Sequence, residues 1–171
     1  TMLLVTVNHQ SLIATKAHRV VQEAKGRPVM EFGARRAQGY DSATYGARAA
    51  YIGGVAGTAT VSAGEMFDIP VVGTMAHSFV QSFDSEYEAF KAYALTYPDD
   101  CVLLVDTYDT LKSGVPHAIE IAKEVLEPMG KKLKGIRLDS GDISYLSKRA
   151  RAMLDVAGLT SVSYTHLRAH E

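Results

Sequence analysis

Val71-Val72-Gly73-Thr74-Met75-Ala76-His77-Ser78-Phe79 carries the first clue to the architecture. An apolar pair that closes on Gly-Thr and opens into a helical segment reads as a buried strand handing over to a helix. That junction is where α/β proteins hold small molecules. A histidine placed there can take up a proton, a metal or a phosphoryl group near neutral pH. Two other polar clusters, EFGARR (Glu31 to Arg36) and IRLDSGD (Ile136 to Asp142), also follow or continue short apolar runs. Three such ends on one face would form an anion-binding site.

Outward from this stretch, short apolar runs alternate with helical patterns. Ser11 is positioned to cap a helix through Lys25, with Gly26 as its stop. Val29 to Gly33 reads as a strand, Ser42 to Tyr51 as a small-residue helix, and Val55 to Val61 as another strand. A short helix over Ala63 to Phe67 precedes the Val71 strand. Ser85 to Tyr97 reads as a helix closed by Pro98, and Val102 to Val105 as an apolar strand. Pro116 opens a helical pattern that runs to Leu126 before Pro128 and Gly130 stop it. Leu133 to Leu138 is a further strand, and Ile143 to Val156 a helix ended by Gly158. This alternation predicts parallel strands joined by right-handed crossovers, in either an open doubly wound sheet or part of an eight-stranded barrel.

The 171 residues suffice for one domain with a sizeable core, and 47% of them are hydrophobic. A formal net charge of -1 argues against nucleic acid or an anionic membrane surface as the main partner. No apolar run approaches the ~18 residues of a membrane span, and TMLLVTVNHQ lacks the features of a signal peptide. The single cysteine, Cys101, leaves no disulfide framework, and a cytoplasmic setting follows as the expectation. His9, His18, His117, His166 and His170 form no metal-ligand spacing, and there is no Walker loop or GxGxxG.

The polar clusters suggest specific chemistry. In EFGARR, Gly33 permits close backbone approach, Arg35 and Arg36 suit a phosphate, and Phe32 can stack on a flat ligand. In IRLDSGD, Arg137 and Asp139 share a strand face at period two. Arg137 can neutralise a carboxylate, while Asp139, Ser140 and Asp142 offer oxygens to sugar hydroxyls or Mg²⁺. Alternatively, Asp139 or Ser140 caps the helix beginning near Ile143. In VDTYDT, Asp106 follows a strand and can orient a neighbouring histidine as the acid of a catalytic triad does.

Taken in order, NHQSLIATKA (Asn8 to Ala17), EFGARRAQG, GTMAHSF, VDTYDT and IRLDSGD closely resemble the nicotinate phosphoribosyltransferase family over roughly residues 3 to 160. The resemblance implies a type II phosphoribosyltransferase: part of an irregular α/β barrel from a homodimeric enzyme of NAD salvage. Such enzymes join nicotinate to 5-phosphoribosyl 1-diphosphate, with Mg²⁺ and coupled ATP hydrolysis, giving nicotinate mononucleotide and diphosphate. Carried over by motif, His77 resembles the histidine that ATP phosphorylates, and Asp106 its orienting acid. Phe32 resembles the ring that stacks on the pyridine, Arg35 a phosphate ligand, Arg137 the partner of the nicotinate carboxylate, and Asp139 that of the ribose hydroxyls. Gly33, Thr58 and Ser140 complete the implied substrate-binding set; no residue is singled out as a Mg²⁺ ligand. The related nicotinamide enzyme carries Gly-Thr-Asp-Thr where Gly57-Thr58-Ala59-Thr60 stands here. An aspartate accepts from an amide but repels a carboxylate, so Ala59 favours the acid substrate. A quinolinate-specific relative, by contrast, would want a more basic site and no ATP. A ligand-binding or inactive barrel fragment is the alternative for the chain by itself, because the family's amino-terminal domain and later glycine-rich strands have no counterpart here. The closing string SVSYTHLRAHE, residues 161–171, departs from the family pattern and reads as translated adapter DNA, a non-native tail.

Overall fold

The computed structural model describes residues 1–166, with side chains described through Ser163. The chain divides into two compact units, Thr1–Gly73 and Thr74–Glu171. Each is an α/β arrangement with parallel strands.

The first unit pairs helix α1 (Met2–Glu23) with α2 (Tyr40–Ile52) and carries strands β1 (Met30–Glu31) and β2 (Gly57–Thr58), followed by α3 (Val61–Phe67). Strands β1 and β2 are parallel, in register Met30 with Gly57 and Glu31 with Thr58. Helix α1 begins well before Ser11, and Ser11 sits inside it. The Thr15 hydroxyl bonds back to the Ser11 carbonyl at 2.7 Å, and Thr6 to that of Met2 at 3.1 Å. These internal bonds satisfy hydroxyls that would otherwise favour a cap. Small residues bring α1 and α2 together: a methyl on Gly53 would lie 2.6 Å from the Ala14 carbonyl oxygen. The buried cluster is thin, Ala47, Ala63 and Ile69 with Phe67 packed against it.

The expected Val71 strand shrinks to one bridge, Thr58 with Val71, and Val71 is 51% exposed. Pro70 brings no N–H to a ladder and Gly73 weakens extended pairing, so the run cannot propagate.

The second unit begins with the short helix α4 (His77–Gln81) and α5 (Glu86–Thr96), whose first turn is capped by the Ser85 hydroxyl. Strand β3 (Val102–Leu104) leads to a continuous helical stretch, α6 (Val115–Ile121), flanked by wider π-type turns at Thr110–Gly114 and Ala122–Leu126. Pro116 has no N–H for a regular helical bond, which fits the widened turn before it. Strand β4 (Gly135–Leu138), helix α7 (Ile143–Val156) and strand β5 (Ser163–His166) follow. The sheet order is β3-β4-β5, all parallel, with Leu104 opposite Arg137 and Gly135 opposite Ser163. β5 lies within the stretch 161–171 read from sequence as a tail; residues 167–171, with Arg168 and His170, lie outside the described residues.

The core sits in this unit. Phe90, Leu103, Leu104, Ile121, Leu126, Ile136, Leu138 and Leu154 are fully buried around the sheet. At 1.5–3 kcal/mol for each fully buried large apolar side chain (approximate), this cluster anchors the strands whose carboxyl ends carry Asp106 and Asp139. A second staple joins α5 to the helical stretch: the Glu86 carboxylate, buried at the start of α5, accepts from His117 Nδ1 at 2.9 Å and from the Ser113 hydroxyl. Among the described residues, no helix is long and apolar enough to cross a membrane.

Candidate functional site

Strands β3 and β4 are neighbours, so the residues just beyond their carboxyl ends are brought together by the ladder itself. Asp106 lies beyond β3. Its side chain is 1% exposed and its two oxygens face in different directions. Oδ1 lies 3.2 Å from His77 Nε2. Oδ2 accepts from the Asp139 backbone N–H at 3.0 Å and from the Ser140 hydroxyl at 2.6 Å. A buried carboxylate costs several kcal/mol unless its lone pairs are met. Here three donors meet it, and two come from the turn after β4.

His77, the first residue of α4, keeps 39% of its side chain exposed. With Nε2 on the carboxylate, the favoured neutral tautomer carries its proton there and presents the Nδ1 lone pair. A histidine oriented in this way has the chemistry to act as a nucleophile or a proton carrier.

Arg137, on β4, is held as a fork. One terminal nitrogen donates to the Thr74 hydroxyl at 2.9 Å and the Met75 carbonyl at 2.7 Å, while the other pairs with Asp139 at 2.8 Å. The segment 74–75 leading to His77 is therefore tied to β4. The Arg137 and Asp139 side chains are only 11% and 16% exposed, so this cation presents a fixed, weakly screened face.

Helix capping is done by other acids. Asp142 caps α7 by accepting from Tyr145 N–H, and Asp109 caps the helical stretch by accepting from Leu111 and Lys112 N–H. Asp139, Ser140 and Asp106 are released from that duty, so the capping alternative for Asp139 and Ser140 gives way.

The predicted residues of the first unit form their own cluster. Glu31, at the end of β1, accepts from the Thr58 hydroxyl at 2.5 Å, from the Thr60 hydroxyl at 3.4 Å and from Gly33 N–H. Phe32 lies within this turn and is half-buried. Arg35 follows on an exposed turn, and among the described residues its side chain makes no ion pair. A cavity of about 410 Å³ beside the turn is lined by Glu31, Gly33, Arg36, Ser42 and His9 among others. Arg36, not Arg35, lines it.

Of the residues singled out from sequence, His77, Asp106, Arg137, Asp139 and Ser140 are linked by direct contacts. Sequence reading missed Thr74 and the Met75 carbonyl as holders of Arg137, and Glu31 as a hub. A backbone carbonyl has no sequence signature. Glu31 could have been flagged as an acid between an apolar run and a glycine turn.

A buried acid that grips a histidine on one side and the turn after the next strand on the other, beside a fixed arginine, stands at the strand ends of an α/β protein, where such folds hold small molecules. Residues 28–163 match the family described as the nicotinate phosphoribosyltransferase (NAPRTase) family, and the chain belongs to it. It is 56% identical over 160 residues to a nicotinate phosphoribosyltransferase of Bacillus subtilis, covering 94% of this chain and 32% of the relative. It is 53% identical over 162 residues to one from Mycobacterium tuberculosis, covering 95% of this chain and 34% of the relative. The fold is similar to the crystal structure of human nicotinic acid phosphoribosyltransferase, with a TM-score of 0.75 and 30% identity over 92% of this chain and 42% of that one. A nicotinate-nucleotide pyrophosphorylase from Pyrococcus furiosus is also similar, with a TM-score of 0.79 and 29% identity over 95% of this chain and 42% of the other. The chain spans about a third of the length of the curated relatives it matches.

Proposed function

We propose that this chain is the central segment of an enzyme that joins nicotinate to 5-phosphoribosyl 1-diphosphate, releasing diphosphate and forming nicotinate mononucleotide, with ATP hydrolysis passing through a phosphohistidine at His77. The observation that carries the reading is the Asp106 carboxylate, buried and shared between His77 and the Asp139–Ser140 turn in a chain of this family.

In this reading, the Nδ1 lone pair of His77 attacks the γ-phosphorus of ATP; the N–P bond forms as the P–O bond to ADP breaks. The Asp106 charge stabilises the resulting cationic ring. The phosphoryl group adds negative charge and acceptor oxygens close to Asp139 and Ser140, so substrate affinity depends on whether His77 is modified. The reaction proper is displacement at an electron-poor anomeric carbon, served chiefly by positioning and charge stabilisation. Arg137 takes the nicotinate carboxylate and Asp139 the ribose hydroxyls, with Ser140 fixing their turn. Phe32 stacks on the pyridine, Gly33 and Thr58 shape its surroundings, and Arg35 takes a phosphate. Ala59 leaves room for the acid without an opposing charge.

Among the described residues, no group of three or more His, Cys, Asp or Glu could hold a metal. Mg²⁺ would be held mainly by substrate phosphates, as is usual for this ion. When bound it neutralises diphosphate charge. The finer parts of the reading are a barrel completed by strands beyond those described, a homodimer, a cytoplasmic setting and a non-native origin for 161–171. Reading the source DNA across codon 160 tests the last of these; one continuous genomic frame would refute it.

The function is tested by turnover of nicotinate and of nicotinamide, each with 5-phosphoribosyl 1-diphosphate, by the intact enzyme carrying this segment. Nicotinate mononucleotide formation is expected, and preference for the amide would overturn the assignment.

A further inference from the structure

Strands β1 and β2 contribute two residues each, so their ladder alone holds the following turns weakly. What extends the pairing is Glu31. Its backbone carbonyl accepts from Ala59 N–H at 2.9 Å. Its side chain accepts from the hydroxyls on either side of Ala59, Thr58 at 2.5 Å and Thr60 at 3.4 Å. Thr58 also receives Thr60 N–H at 2.9 Å, and both threonines are buried. The other carboxylate oxygen accepts from Gly33 N–H and closes the turn around Phe32. A methyl on Gly33 would lie 2.9 Å from that oxygen and press on this contact. One acceptor-only group thus ties down the flanks of two residues, Phe32 and Ala59, from separate segments.

We propose that Glu31 is a positioning residue for substrate selectivity, setting the pyridine-stacking Phe32 and the acid-favouring Ala59 in one fixed relation. The inference rests on the function proposed above. A carboxylate suits the task because every one of its three side-chain partners is a donor. Glutamine keeps the shape but offers one acceptor oxygen. That oxygen goes to Gly33 N–H, which cannot reverse its polarity, and the amide NH₂ turns to the Thr58 hydroxyl, which can accept. Aspartate keeps the charge but is one methylene short of spanning both sides.

The test is steady-state kinetics on the intact enzyme carrying this segment, with Glu31→Ala, Glu31→Asp and Glu31→Gln. For Glu31→Ala and Glu31→Asp, the nicotinate KM should rise about tenfold or more and the kcat/KM preference for nicotinate over nicotinamide should fall by a similar factor. The kcat and the KM for 5-phosphoribosyl 1-diphosphate should stay within about threefold. Glu31→Gln should fall between these and the parent, with selectivity shifted in the same direction. Should the alanine variant fail to fold, the near-isosteric glutamine variant decides: parental selectivity in it would overturn the proposal. Equal losses on both pyridines together with a changed KM for the phosphoribosyl donor would also overturn it, marking Glu31 as merely structural. If the parent enzyme itself does not turn over nicotinate, the functional reading has failed and the inference falls with it. A failure of the inference alone shows an active parent and unaltered variants.

Discussion

Replacing Asp106 with asparagine changes one atom, and its consequence can be worked through from the contacts. Oδ2 accepts from Asp139 N–H at 3.0 Å, a backbone donor that cannot become an acceptor. The asparagine oxygen must remain there. Its NH₂ is then forced toward His77 Nε2, which lies 3.2 Å from the other oxygen. To accept that bond the ring must carry its proton on Nδ1, and the outward lone pair is lost. Restoring the reactive tautomer forfeits a hydrogen bond between neutral groups, of the kind worth about 0.5–1.5 kcal/mol, which alone lowers its population roughly 2- to 13-fold. The missing charge also ceases to stabilise the cationic ring. Transfer of phosphate from ATP to the protein should therefore slow by about 10²–10³-fold. The side-chain shape and the Ser140 contact persist, so stability should change by less than about 1 kcal/mol. The assay is the initial rate of labelling from γ-labelled ATP, alongside a thermal melt, on the intact enzyme. Labelling at the parental rate would refute the reasoning. So would a large fall in melting temperature, which would make Asp106 a folding residue.

Two further outcomes follow from packing. Gly114→Ala would place a methyl 1.9 Å from the Val105 carbonyl oxygen, a backbone atom that cannot swing aside, so a loss of ~3 kcal/mol or more is expected in denaturant unfolding; a loss under ~1 kcal/mol would contradict the packing of the Thr110–Gly114 turn. Burial pushes the Cys101 thiol up to about 12, so it should resist a thiol reagent at pH 8 until the protein unfolds. A folded value above the unfolded one favours the native state at low pH, and this contribution is lost as pH rises from the ordinary thiol range through about 12. Reaction of the native thiol at the rate of a free cysteine would contradict its burial.

Much of the second unit was legible because its signals are local and strong. Helix α7 occupies Ile143–Val156 as read, with Gly158 beyond its end, although its cap is Asp142 and not Asp139 or Ser140. Strand β3 is an uninterrupted apolar run of the kind buried between layers, and β4 is interrupted only by Arg137. The first unit was less legible. Ser11 looks like a cap from sequence because a serine ahead of an apolar-periodic run is the usual start signal, and only the preceding turns, already helical from Met2, decide otherwise. Val71 and Val72 look like a strand, but pairing depends on partners and on Pro70, which the apolar pattern does not register.

In the site, side chains with a chemical signature and the pairing of Asp106 with His77 were legible, while the other connections were not. His77, Asp106, Arg137 and Asp139 announce themselves by type and by their place after strands. That Asp106 would also take Asp139 N–H depends on the register of β3 with β4, which no motif encodes. Likewise Glu31 gains its importance from the parallel pairing that sets it opposite Thr58.

The central claim is that the buried Asp106 makes His77 the phosphoryl acceptor. It is tested most directly by phosphorylating the intact enzyme with ATP, digesting it under conditions that preserve phosphohistidine, and locating the modified residue by mass spectrometry. The account predicts the phosphoryl group on His77. Its presence on any other residue would contradict it.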